Sequence, residues 1–79
     1  MEYILAFGSA HRALKAESVL RKGGHVFRLL PAPRAFTLHC DLVISVPGDG
    51  LDEAVSTLKD AGLEPGHIFR KEGEDYVEV

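Results

Sequence analysis

"EYILAFGSAHRALKAESVLRKGGHVFRLL", residues 2–30, decides the fold. Its opening, "EYILAF", is apolar and aromatic and ends at Gly8, the signature of a strand. Ser9 follows where a helix cap belongs, because its hydroxyl can accept one of the unpaired N–H groups of a first turn. Ala10, Ala13, Leu14, Ala16 and Leu20 then fall on one side of a 3.6-residue period, which predicts a helix with those residues inward. Arg21 and Lys22 occupy its last turn, the negative end of the helix dipole, and Gly23-Gly24 suit a left-handed stop. "HVFRLL", residues 25–30, is a second strand halted by Pro31 and Pro33.

The same organisation follows once more. "DLVISV", residues 41–46, reads as a third strand with Leu42, Ile44 and Val46 on one face, ended by "PGDG". "LDEAVSTLKDAG", residues 51–62, reads as a second helix with Leu51, Ala54, Val55, Leu58 and Ala61 as its apolar stripe. Asp52 and Glu53 sit in its first turn, where negative charge is favoured, and Gly62 ends it. "HIFRK", residues 67–71, is a fourth strand. "EGED" is a turn, and "YVEV" is a short further strand or a tail.

The order β-α-β-β-α-β predicts an α+β protein of the ferredoxin-like kind, a four-stranded antiparallel sheet with two helices on one face. Seventy-nine residues make one domain, 1–79. In "YILAF" both alternating sets, Tyr3/Leu5/Phe7 and Ile4/Ala6, are apolar, so both faces of the sheet are expected to be covered. Two helices serve only one face. A homodimer through the open face is therefore expected.

A composition of 46% hydrophobic and 27% charged residues excludes a disordered chain. No apolar run approaches the roughly 20 residues of a membrane helix. "MEYILAF" has no basic flank and reads as a strand, not a leader. One cysteine excludes an internal disulfide and points to a reducing, bacterial-type cytoplasm. The net charge of −3 is uneven: residues 1–34 carry six Lys/Arg and two Asp/Glu, whereas residues 35–79 carry three and ten. The acidic total argues against non-specific nucleic-acid binding, while the basic half can attract anions locally. Tyr3, Phe7, Phe27 and Phe69 supply rings an RNA-binding sheet would use, but the acidic second half speaks against that use. Glu17 interrupts the first helix's apolar stripe and is expected in a structural role, either reaching to solvent or pairing with Arg28 or another base.

"PAPRAFTLHC", residues 31–40, holds the single thiol at the end of a proline-stiffened loop. The right-handed crossover rule brings this loop to the end of the sheet where the first helix starts. Gly8, Ser9, His11, Arg34, His39 and Cys40 then gather at one end, with the helix's free N–H groups beside them. Cationic neighbours and helix starts raise a thiol's ionised fraction and favour an anionic persulfide or selenide equally. Each residue also has a plain structural reading. Cys40 as a small buried hydrophobe, Ser9 as a cap, Gly8 as a turn and the charged groups as solvated surface all remain open. No CxxC or close His pair occurs, so no metal site is expected, and no nucleotide or cofactor motif is present.

"FGSAHRALKAESVLRKGG", "RLLPAPRAFTLHC" and "LVISV" together give the chain a resemblance to a family. It resembles the small bacterial domains described as putative selenium/sulfur carrier protein-like. The most specific shared element is Pro33-Arg34 followed six residues later by Cys40. Such domains usually read Cys-Gly at the strand start; here Cys40-Asp41 adds a negative charge beside the sulfur. The resemblance implies a carrier rather than an enzyme, without a cofactor. Cys40 would take sulfur or selenium from a donor protein and pass it to an acceptor, with Arg34, His39, His11, Gly8 and Ser9 around the anionic atom. A regulatory or protein-interaction module with a structural cysteine stays open beside it. A thiol enzyme lacks an acid–base pair beyond His39.

Overall fold

The computed structural model describes residues 1–32 and 42–79. Strand β1 (Glu2–Ala6) leads into helix α1 (Ala10–Lys22), and β2 (Arg28–Pro31) follows. Strand β3 (Leu42–Pro47) continues through a short 3-10 turn, Gly48–Gly50, into α2 (Leu51–Asp60), and β4 (His67–Glu72) and β5 (Asp75–Glu78) complete the chain. The architecture is α+β, with two helices and one antiparallel sheet in the order β2-β3-β1-β4-β5.

Five strands stand where four are expected. The reason is local: Glu72 pairs with Asp75 across a two-residue turn, with positive φ confined to Gly73 (φ 64°). Glycine first in a two-residue hairpin turn matches strand twist, so the acidic tail folds back onto β4. Asp41, read as the start of the third strand, lies outside the described residues.

Both helices end in the same way. Gly24 adopts φ 74°, Gly24 N–H donates to Arg21 O, and His25 N–H donates to Leu20 O. Gly62, also at φ 74°, repeats the pair with Lys59 O and Leu58 O. These are Schellman closures, in which a left-handed residue lets the last carbonyls find donors. Glu17 pairs with Arg21 one turn on, at 2.8 Å, and not with Arg28.

Leu5 and Phe7 face the helices and share a core with Ala13, Ala16, Leu20, Ile44, Val46, Ala54 and Leu58. Each large buried side chain contributes about 1.5–3 kcal/mol. Leu14, assigned to this core by its spacing, is 47% exposed. The inward side of α1 is turned away from Leu14: Ala13, Ala16 and Leu20 are buried, and Val19 packs partly against the core. On the opposite face Ile4, Ala6 and Val43 are buried within the single chain, packed by Leu30, Ala32, Phe69 and Tyr76. Their burial removes the reason for a covering partner that the doubly apolar strand suggested.

Candidate functional site

Strand register fixes which chain ends meet. Ala6 pairs with Val43, Leu30 pairs with Val43, and Pro31 pairs with Leu42. The end of β1, the end of β2 and the start of β3 thus share one end of the sheet. The chain leaves that end at Ala32 and rejoins it at Leu42, and α1 begins there after Gly8 and Ser9. Arg34, His39 and Cys40 lie outside the described residues.

Of the remaining expected residues, Ser9 is the helix cap. Its backbone is extended (φ −157°, ψ 158°), and its Oγ accepts from Arg12 N–H at 3.2 Å. A hydroxyl that caps in this way keeps its own proton to donate. His11 is exposed in the first turn of α1. Gly8 is exposed, has no positive φ, and a methyl group there meets nothing within 4 Å among the described residues. The turn itself therefore does not require glycine.

Two polar clusters escape a reading of the sequence. The first lies at this same end. His67 pairs in register with Ala6, and Gly66 N–H donates to Ala6 O at 3.0 Å. The His67 ring stacks on Phe69 with centroids 6.1 Å apart, and its Nδ1 is 2.6 Å from Glu78 Oε2. In a neutral ring Glu78 takes the Nδ1 proton and leaves the Nε2 lone pair outward. The alternation His67-x-Phe69 hints at this pair, but its second half needs the fifth strand.

The second cluster lies at the far end. The Ser45 hydroxyl donates a short hydrogen bond to Glu2 Oε2, and Lys71 Nζ stands 3.6 Å from Glu2 Oε1. The Ser45 hydrogen bond holds the Glu2 carboxyl below the usual carboxylate range, helped by the Lys71 and Arg28 charges and opposed by burial. Ser45 is the buried polar residue of a strand whose other inner positions are apolar. A groove of about 440 Å³ opens there, lined by Met1, Glu2, Arg28, Ser45 and Pro47 among others.

Among the described residues no group of three or more His, Cys, Asp or Glu is placed to hold a metal ion. No helix of the described residues is long and apolar enough to cross a membrane. What the loop end offers chemically, among the described residues, is a helix N-terminus, a capping hydroxyl, the exposed imidazole of His11 and the half-exposed His67–Glu78 pair.

No curated protein and no solved structure matches the chain. A family model matches residues 2–70, which takes in the whole stretch from β1 to the middle of β4, including Pro33, Arg34 and Cys40, and leaves β5 outside. The chain belongs to the family described as putative Se/S carrier protein-like.

Proposed function

We propose that the chain is a sulfur or selenium carrier that holds the chalcogen on Cys40. The observation that carries this reading is the family match over residues 2–70. Strand register supports it, because both ends of the Cys40-bearing segment leave the sheet beside the start of α1. Its scaffold is a ferredoxin-like plait formed by β1–β4 and the two helices, with β5 added at the edge.

The exchange needs no net oxidation. The Cys40 thiolate attacks the terminal sulfur of a donor persulfide. The donor's S–S bond breaks as the new one forms, and the donor leaves as its thiolate. Delivery repeats the step with the acceptor's thiolate as attacker. The terminal atom on Cys40 is anionic near neutral pH, so Arg34, His39 and the α1 N–H groups beyond Gly8 and Ser9 stabilise it. His11 adds a donor in the first turn. A reducing cytoplasm keeps Cys40 free between cycles.

Intact-mass measurement after incubation with a cysteine desulfurase and cysteine tests the reading. A gain of one sulfur atom on the wild-type chain, reversed by a thiol reductant and missing from Cys40→Ser, is expected. A wild-type chain that stays unmodified with this donor and with low-molecular-weight persulfides replaces the carrier with an interaction module in which Cys40 is structural.

A further inference from the structure

Helix α1 breaks its amphipathic pattern at Leu14. Ala13, Ala16 and Leu20 are buried, while Leu14 is 47% exposed. At 100° per residue, the side opposite those three carries His11, Lys15, Ser18 and Lys22, all exposed, with Leu14 and Arg21 along one margin. Four Lys/Arg against Glu17 alone give α1 a formal +3 in a chain of −3, so the remaining residues together carry −6. Positive charge is therefore concentrated on one helix, around an apolar side chain that the fold does not use. The exposed face of α2 differs: Asp52, Glu53, Ser56, Lys59 and Asp60 are polar, with no large apolar side chain among them.

An apolar anchor ringed by charge is the composition of a protein-docking surface, where the anchor supplies affinity and the ring supplies approach rate and partner choice. A phosphate backbone would use the cations but give Leu14 nothing apolar, and the net charge of −3 opposes a polyanion. The first turn of α1 also adjoins the sheet end where residues 33–41 depart and return. A partner seated over His11, Leu14 and Lys15 stands next to the sheet end where the chain leaves at Ala32 and rejoins at Leu42. We propose that the outward face of α1, with Leu14 on its margin, docks the protein that donates the chalcogen, and that the donor presents an acidic rim beside an apolar pocket. This rests on the carrier reading.

Single-turnover loading of the full chain from two sources tests it: the persulfide form of a cysteine desulfurase, and a small alkyl persulfide with no other charged group. With the enzyme, loading of the wild type slows as salt is raised, and Lys15→Glu/Lys22→Glu slows it about tenfold or more at low salt. Leu14→Ser slows it severalfold and leaves the salt dependence in place. All variants load from the small molecule at the wild-type rate and unfold in urea near the wild-type midpoint, which shows that they are folded. Equal, salt-insensitive rates from the enzyme for wild type and variants overturn the docking surface and leave the carrier standing. The same holds if the substitutions abolish only RNA binding, or only dimerisation in sedimentation, while enzyme loading is unchanged. A wild type that loads from neither source overturns the carrier reading, and the docking surface with it.

Discussion

The two ends of the sheet use polar side chains in different ways. At the far end the Glu2 carboxylate is tied to the buried Ser45 hydroxyl and approached by Lys71, so its charge is committed to the fold. At the loop end Gly8 and His11 are exposed, and the His67–Glu78 pair lies half in solvent. Committed polar groups stabilise, and uncommitted ones are available to a ligand or a reacting atom. The contrast predicts larger stability losses from substitutions in the core and at the far end than at the loop end.

The largest expected effect calibrates the comparison. Phe7→Ala empties part of the core between β1 and the helices and should cost about 3–5 kcal/mol in urea unfolding. A smaller loss would show that the helices do not seat firmly on the sheet.

Ser45→Ala comes next, at about 1.5–3 kcal/mol near neutral pH, because it removes a hydrogen bond to a charged group. Its pH dependence has a definite sign. The folded Glu2 carboxyl is depressed, so its contribution is complete above the unfolded value of about 4.3 and is lost as pH falls through the lower folded value. The difference between wild type and Ser45→Ala should therefore be constant above about pH 5 and shrink in more acid solution. A difference that grows on acidification would mean that Ser45 does not act through the Glu2 carboxylate.

At the loop end Ser9→Ala should cost about 1 kcal/mol, the usual value of a lost helix cap, with a similar shift whether or not Cys40 is loaded. A larger loss in the loaded form would assign Ser9 a part in holding the cargo. The smallest effect is expected for Glu78→Gln. Its bond to His67 is exposed, so stability should change by about 0–1 kcal/mol in thermal unfolding. A clear drop would show that β5 is held by that pair and not by its backbone ladder.

Much of this arrangement is local and was legible in the sequence. The strand at "EYILAF", the cap at Ser9, the stops at Gly24 and Gly62, and the alternation of β3 all follow from nearest neighbours along the chain. β5 was half legible. "YVEV" has strand character, but only the Gly73 turn and pairing with β4 commit it. Leu14 was misread because helical spacing does not fix which margin of the stripe turns inward, and α1 is turned toward Val19 and away from Leu14. The Glu2–Ser45 bond joins residues 43 positions apart and needs a register that periodicity does not supply. Of the candidate site, the helix start and the place where the loop leaves the sheet follow from topology. Arg34, His39 and Cys40 were picked by residue type and spacing in a segment beyond the described residues, so their chemistry rests on experiment.

The most direct test of the contrast between the two ends is the rate at which iodoacetamide alkylates Cys40 as a function of pH. Positive charge and the α1 N-terminus should outweigh the Asp41 carboxylate. Near neutral pH Cys40 should react faster than a model thiol titrating at about 8.5. Arg34→Ala should slow the reaction, and Asp41→Gly should speed it. A wild-type rate at or below that of the model thiol, unmoved by Arg34→Ala, would contradict the account.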